Sequence, residues 1–175
     1  MTDLPTDPRL LEVLDSLYAR QPENQIRPRL EPTRRLVEYM GSPQENFKIV
    51  HITGTNGKTS TARIIERLLR EHGLRTGRLT SPHLVHFNER IALDGEAVSD
   101  QRIIDAFEEN ESLMDLVDSE LEEQGEPPLT FFEAMTALAF HIFSDAPIDV
   151  LVLEVGIGGE WHKFQDPLLL VLQDY

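Results

Sequence analysis

The sequence contains no cysteine and no long apolar run. The absence of cysteine excludes disulfide bonds and thiol chemistry, and it fits a reducing cytosolic environment. No segment approaches the roughly 20 apolar residues that a membrane-spanning helix requires. The N-terminal segment carries acidic residues early and lacks the apolar core of a signal peptide. We therefore expect a cytoplasmic protein that does not associate with a membrane.

Positive charge is also scarce, since 16 Lys and Arg residues face 31 Asp and Glu residues, for a net charge of −15. This balance argues against binding to a nucleic-acid backbone. Eleven of the acids lie between Asp100 and Glu126, where Arg102 is the one basic residue. Apolar residues recur in the same stretch at helical intervals, which predicts an amphipathic helix with a solvated acidic face. A metal-binding role for these acids is the less favoured alternative.

Residues 47–61, FKIVHITGTNGKTST, combine an apolar run, a glycine-containing turn and the start of a helical pattern. Strand, glycine loop and helix in this order are typical of a phosphate-binding site. Glycine lets backbone N–H groups turn towards a phosphate, and the helix start adds unpaired amides and the positive end of its dipole. Lys58 supplies a full positive charge, and Thr59 and Ser60 supply hydroxyls for phosphate or Mg²⁺. The helical pattern continues through four apolar residues, Ile64, Ile65, Leu68 and Leu69.

The spacing of this loop differs from that of the common P-loop. Two residues separate Gly54 from Gly57, whereas four residues separate the glycines of the common motif. The alternative interpretation is an ordinary strand-to-helix turn followed by a surface lysine.

The other segments predict alternating helices and strands in a chain of 175 residues, which is long enough for one α/β core. Helices are expected over residues 8–20, 33–40, about 100–126 and 130–144, and strands over 47–53, 76–79 and 148–155. Asp94-Gly95 predicts a tight hairpin, Gly73 a helix C-terminus and Ser99 a helix N-cap. Three prolines in residues 21–32 indicate a loop. The apolar strand at 148–155 is typical of a parallel sheet covered on both faces, and GIGG follows it where such sheets bind ligands.

Two further polar residues follow predicted strands. Ser81, within TSPH, has a hydroxyl that suits a Mg²⁺ shell, although the spacing alone favours an ordinary turn serine. Glu154 ends an otherwise apolar strand, where a carboxylate is costly unless it is paired or bound to a cation. A metal ligand and a member of a buried ion pair are both open interpretations of Glu154.

Five motifs in order resemble the folylpolyglutamate synthase and dihydrofolate synthase family of the Mur-ligase superfamily. They are GTNGKTS at 54–60, TSPHL at 80–84, NERI at 88–91, LTFFE at 129–133 and EVGIGG at 154–159. The resemblance implies an α/β fold with a P-loop-type, mostly parallel sheet flanked by helices, as in the Mur-ligase central domain. It runs to Trp161, so residues 1–161 are expected to form N-terminal helices and an ATP-binding domain that is incomplete at its C-terminal edge. Residues 162–175 are expected to form a divergent tail.

The resemblance also implies an ATP-dependent ligase of folate biosynthesis and one-carbon metabolism that uses Mg²⁺. Such an enzyme joins L-glutamate to dihydropteroate or to folates through an acyl phosphate, and intact members are expected to be monomers. Lys58 is the implied catalytic residue. The implied ATP-binding residues are Gly54, Thr55, Asn56, Gly57, Lys58, Thr59 and Ser60. The implied Mg²⁺ ligands are Ser81 and Glu154, and the implied pteroate contacts are Thr130, Phe131, Phe132 and Glu133, together with Ile26, Arg27 and Pro28.

Two alternatives to this function remain at the level of the sequence. The chain departs from the family pattern after Trp161, which suggests a truncated, non-catalytic nucleotide-binding fragment. The glycine motif alone also fits a muramyl-type amino-acid ligase, whereas TSPH and EVGIGG favour the folate branch.

Overall fold

A computed structural model describes residues 7–20, 29–54, 56–83 and 85–154. In chain order the elements are α1 (Pro8–Tyr18), α2 (Glu31–Tyr39), β1 (Lys48–Ile52), α3 (Lys58–Glu71), β2 (Thr76–Leu79), β3 (Ile91–Leu93), β4 (Glu96–Ala97), α4 (Asp100–Glu123), α5 (Phe131–Asp145) and β5 (Val150–Glu154). Short 3₁₀ helices cover Pro43–Asn46 and Phe87–Arg90. No helix within these described ranges is long and apolar enough to cross a membrane.

The chain divides into two compact units. The helical unit combines Met1–Gly41 with Ser99–Ile142, and the sheet unit combines Ser42–Val98 with Phe143–Tyr175. Helix α5 begins in the first unit and ends in the second. The domain boundaries expected from the sequence, 1–161 and 162–175, stay a prediction, because the structure does not describe the residues that would separate them.

In the helical unit, α1 and α2 pack against α4. The packed side chains are apolar and fully buried, and they include Leu10, Leu17, Leu36, Ile104, Met114 and Leu121. The predicted acidic helix is confirmed, and it runs without interruption. Ser99 caps it as expected, because the Ser99 hydroxyl accepts a hydrogen bond from the Arg102 amide. Some of the acids on α4 pair with arginines of this unit, including Asp118 with Arg20.

The sheet unit contains a five-stranded sheet in the order β1-β5-β2-β3-β4. Strand β5 pairs in parallel with both β1 and β2, while β3 and β4 add an antiparallel hairpin beside β2. The hairpin turn lies at Asp94 and Gly95, both with positive φ, as the Asp-Gly pair predicts. The expected mostly parallel sheet with flanking helices is therefore confirmed.

Helices α2 and α3 each differ from the sequence expectation. Helix α2 begins at Glu31, two residues before the predicted start, because Pro32 lies in its first turn, where a missing N–H group costs nothing. On α3, Ile65 and Leu69 pack against the sheet core, but Ile64 and Leu68 are exposed. Residues 64 and 68 lie about 100° around the helix from 65 and 69, so this helix buries a narrower stripe than its apolar residues suggest.

A buried ion pair joins α3 to the sheet. Arg78 of β2 donates from Nε to Oε2 of Glu66 at 2.6 Å, and both side chains are less than a tenth exposed. Oε1 of Glu66 accepts the amide of Gly95 at 3.0 Å, so the same carboxylate also holds the β3–β4 turn. The Glu66 carboxylate thus joins α3, β2 and the β3–β4 turn, and both of its oxygens accept a hydrogen bond.

We expect Glu66→Gln to lower the free energy of unfolding by about 3–5 kcal/mol, because it leaves the buried Arg78 guanidinium without its ion-pair partner. Glu71→Gln is the matched control, since Glu71 pairs with Arg67 on the exposed side of the same helix. It should cost about 0.5 kcal/mol or less. Urea unfolding of both variants measures the difference. Equal losses of unfolding free energy would show that the buried Glu66 pair contributes no more to stability than the exposed Glu71 pair.

Candidate functional site

The ends of three parallel strands lie at one edge of the sheet. Ile52 of β1 and Leu79 of β2 are the register partners of Glu154 and Leu153 on β5. Neighbouring strands are about 4.8 Å apart, so the segments that follow β1 and β2 flank the carboxyl end of β5. Ligands of open α/β sheets bind at such an edge.

The glycine loop leads directly into α3. Gly57 has φ +75°, in the left-handed region that glycine adopts without strain, and α3 begins at the next residue, Lys58. The N-cap residue, Gly57, has no side chain that could cap this helix start. The first-turn amides, which helical bonding leaves unpaired, are therefore available to an anionic group. Nζ of Lys58 donates to the carbonyl oxygen of Gly54 at 2.7 Å, so the lysine lies across its own loop.

Glu154 joins the end of β5 to this helix start. Its Oε2 accepts the hydroxyl of Thr59 at 2.8 Å. The Glu154 side chain is buried, and burial raises the pKa of its carboxyl above the usual range, against smaller opposing effects of Thr59, Lys58 and Arg78. No ion pair joins Glu154 to another residue that the structure describes. The buried-ion-pair interpretation is thus not supported within these residues, while a carboxylate held by one hydroxyl suits a cation.

Ser81, two residues beyond β2, has a buried hydroxyl oxygen for which the described residues provide no hydrogen-bond partner. A buried hydroxyl in this condition costs free energy unless a ligand or ion satisfies it. Ser81 follows β2 and Glu154 ends the neighbouring strand β5, and hydroxyl and carboxylate oxygens are ligands that Mg²⁺ accepts. No group of three His, Asp or Glu residues forms a ready metal cage in the described ranges.

A small network beyond Ser81 was not predicted from the sequence. Arg90 donates from Nε to Nδ1 of His83 at 2.9 Å, and burial is the main cause of a lowered pKa at His83. Because a guanidinium only donates, Nδ1 of His83 is the acceptor and its neutral ring carries the proton on Nε2. Glu89 accepts the amides of Val85 and His86, which orders the same turn. NERI marked this region, but the pairing of Arg90 with His83 has no local signal.

The predicted pteroate contacts Thr130 to Glu133 lie in the helical unit, at the start of α5. Thr130 and Glu133 cap the helix reciprocally: the Thr130 amide donates to Oε2 of Glu133, and the Glu133 amide donates to the Thr130 hydroxyl oxygen. Phe131 stacks on Tyr18 with ring centroids 5.0 Å apart, and Phe132 is half-buried. Arg29, which no motif marked, binds Glu133 through two nitrogens.

The structure therefore groups the predicted site residues as follows. Gly54, Asn56, Gly57, Lys58, Thr59, Ser60, Ser81 and Glu154 all belong to the sheet unit, at or next to one edge of its sheet. Thr130, Phe131, Phe132 and Glu133 belong to the helical unit. Thr55 and the residues Ile26, Arg27 and Pro28 lie outside the described residues.

Comparison with known proteins identifies similar proteins over most of the chain, although no family model matches it. A dihydrofolate synthase/folylpolyglutamate synthase of Mycobacterium tuberculosis is 44% identical over 155 residues, which are 87% of this chain and 32% of that protein. A structure of Mycobacterium tuberculosis folylpolyglutamate synthase complexed with ADP superposes with a TM-score of 0.80 at 43% identity, and covers 87% of this chain and 33% of that one. E. coli FolC in complex with DHPP and ADP gives a TM-score of 0.72 at 31% identity, over 86% of this chain and 34% of that one. The chain thus spans about a third of the length of these proteins.

We compare the free energies of unfolding of Glu154→Gln and of the parent chain in metal-free buffer. We expect the difference, variant minus parent, to grow more positive as pH rises. The folded-state pKa of Glu154 lies above its ordinary 4.5, so the parent loses stability as pH rises from that value through the folded pKa. Glutamine keeps an oxygen for the Thr59 hydroxyl and cannot ionise.

Urea unfolding with a chelator between about pH 5 and about pH 8 measures the difference, since other carboxyl groups are common to both chains. A difference between variant and parent that does not change with pH would show that the pKa of Glu154 is not raised.

Proposed function

Because the chain is similar over most of its length to the N-terminal portion of folylpolyglutamate and dihydrofolate synthases, we propose that it carries the ATP site of a ligase that joins L-glutamate to a pteroate or folate carboxylate. The observation that carries the proposal is the shared sheet edge: the glycine loop and Ser81 follow β1 and β2, and Glu154 ends β5, which lies between them. Since the chain spans about a third of these relatives, the activity is proposed for the ligase to which this portion contributes.

The glycine loop and the first turn of α3 are the proposed ATP site. Its residues are Gly54, Thr55, Asn56, Gly57, Lys58, Thr59 and Ser60. Backbone amides and the helix dipole favour the triphosphate. Lys58 is the proposed catalytic residue, because its ammonium group can leave the Gly54 carbonyl for the phosphoryl group, where negative charge moves during transfer. The solved relatives with ADP or AMPPCP support nucleotide binding at this fold.

Ser81 and Glu154 are the proposed Mg²⁺ ligands. The fit rests on the Ser81 hydroxyl, which lacks a partner among the described residues, and on the Glu154 carboxylate, which one hydroxyl satisfies in part. When bound, Mg²⁺ neutralises phosphate charge and acts as a Lewis acid. Thr59 orients the carboxylate: its hydroxyl donates to one oxygen of Glu154 and so fixes this side chain against the first turn of α3.

The proposed reaction has two steps. An oxygen of the pteroate or folate carboxylate attacks the γ-phosphorus of ATP, and the bond between the γ-phosphorus and the β-phosphate oxygen breaks. The leaving group is ADP, and the product is an acyl phosphate. The amino nitrogen of L-glutamate then attacks the acyl carbon, phosphate leaves as the amide forms, and the nitrogen loses a proton. The chain's part is to hold and neutralise the phosphates, which is the main demand of phosphoryl transfer.

The start of α5 is the proposed border of the pteroate site, through Thr130, Phe131, Phe132 and Glu133. The relative described as a complex with DHPP and ADP supports a second ligand besides the nucleotide in this fold. The contribution of Ile26, Arg27 and Pro28, the cytoplasmic location and the monomeric state stay predictions of the sequence.

The second candidate is a nucleotide-binding chain without turnover, which needs only the groups at the sheet edge, Lys58, Ser81 and Glu154. The two candidates separate in one assay. A ligase releases ADP when ATP, dihydropteroate and L-glutamate are all supplied, whereas the second candidate binds ATP and releases no ADP.

We expect Lys58→Ala to weaken the binding of Mg²⁺-ATP by at least about ten-fold, because it removes the charge that faces the phosphates. Lys48→Ala is the control: Lys48 is exposed at the start of β1, away from the loop that follows this strand. Isothermal calorimetry on the parent and both variants measures the affinities. Equal affinities for the parent and Lys58→Ala, or no binding by a folded parent, would refute the nucleotide site.

A further inference from the structure

The guanidinium of Arg29 is the centre of the contacts around residues 127–133. Nε and Nη2 of Arg29 bind the two oxygens of Glu133 at 3.2 and 2.9 Å. Nη1 donates to the carbonyl oxygen of Pro127 at 2.9 Å, and Nη2 donates to that of Pro128 at 3.0 Å. The Arg29 side chain is 15% exposed and that of Glu133 is 5% exposed, so this is a largely desolvated, two-pronged ion pair.

The segment that Arg29 holds has little backbone bonding of its own. Pro127 and Pro128 have no N–H group, so they cannot donate a hydrogen bond. The next two amides bond to side chains instead: Leu129 donates to Asp118 at 2.7 Å, and Thr130 donates to Glu133 at 2.8 Å. The conformation of the segment therefore depends on side chains, and Arg29 supplies four of these contacts.

Glu133 links the guanidinium to the helix start. Its Oε2 accepts both Nη2 of Arg29 and the Thr130 amide, while its own amide donates to the Thr130 hydroxyl. A guanidinium matches the plane of the carboxylate and reaches two carbonyls at once, which a lysine ammonium cannot do. Arg29 thus fixes the direction of Thr130 and Glu133 as well as neutralising the acid.

We propose that Arg29 is a positioning residue for the pteroate site: it holds residues 127–133 in the conformation that binds the aromatic substrate before that substrate arrives. The inference rests on one part of the proposed function, which is that residues Thr130 to Glu133 border the pteroate site. Pre-ordering of a binding segment raises affinity, because the ligand then does not spend binding energy on ordering it.

The test is Arg29→Lys in the full chain, with Arg35→Lys as the matched control. Arg35 also contacts two acids, Glu120 at 3.3 Å and Glu31 at 3.4 Å, but away from residues 127–133. Calorimetry with dihydropteroate and, separately, with Mg²⁺-ATP gives the affinities. We expect Arg29→Lys to bind dihydropteroate at least about ten-fold more weakly and Mg²⁺-ATP unchanged, while Arg35→Lys changes neither.

Hydrogen exchange at the Thr130 and Glu133 amides provides the second readout, and it needs no ligand. Faster exchange in Arg29→Lys together with the selective loss of dihydropteroate affinity supports the inference. Faster exchange with unchanged affinity would overturn it, because Arg29 would then be structural only. If Arg29→Lys does not fold, Arg29→Gln decides by the same readouts, since its amide can still donate to the carbonyl of Pro127 or Pro128 but cannot form the ion pair with Glu133.

The parent chain separates this inference from the proposed function. A parent that binds Mg²⁺-ATP but not dihydropteroate overturns the role of Arg29 and leaves the nucleotide site standing. A folded parent that binds neither overturns both.

Discussion

The pairing of β5 between β1 and β2 is the constraint on which the candidate nucleotide site depends. Parallel strands end at the same edge, so this order sets the glycine loop and Ser81 on either side of Glu154. A shift of one residue in either ladder would turn the Glu154 side chain to the opposite face of the sheet relative to its neighbours. The backbone hydrogen bonds of the two parallel ladders thus determine which side chains meet at the site.

The two buried glutamates of the sheet unit show how a structural carboxylate differs from a candidate ligand. Glu66 and Glu154 are 3% and 4% exposed, so burial alone does not distinguish them. Glu66 has a guanidinium and a backbone amide on its two oxygens, whereas the recorded hydrogen bond of Glu154 comes from one hydroxyl. Desolvation without full compensation is the pattern of a site that a cation completes.

Much of the fold is predictable from the sequence because its signals are local. The Asp94-Gly95 turn, the Ser99 cap and the glycine loop each depend on residues within a few positions of one another, and each forms where it was expected. The exposed faces of α3 were not predictable, because the sequence does not show how wide a stripe the sheet will cover. The contacts of Arg29 were missed because its partner Glu133 is 104 positions away in the sequence. The contact of Arg90 with His83 spans only seven positions, but it lies in an irregular segment to which no helical or strand spacing rule applies.

Because Lys and Arg are scarce in this chain, the partner of each cationic side chain helps to distinguish structural residues from candidate ligand-binding residues. In the helical unit, Arg20, Arg29 and Arg35 each meet carboxylates, as expected in a chain with nearly twice as many acids as bases. Lys58 differs, because its recorded contact is a backbone carbonyl and no described carboxylate lies within ion-pair distance. A lysine that a carboxylate already neutralised would have to break that pair before it met a phosphate. Lys58 has no such pair to break among the described residues, so the folded chain keeps its charge available at the helix start.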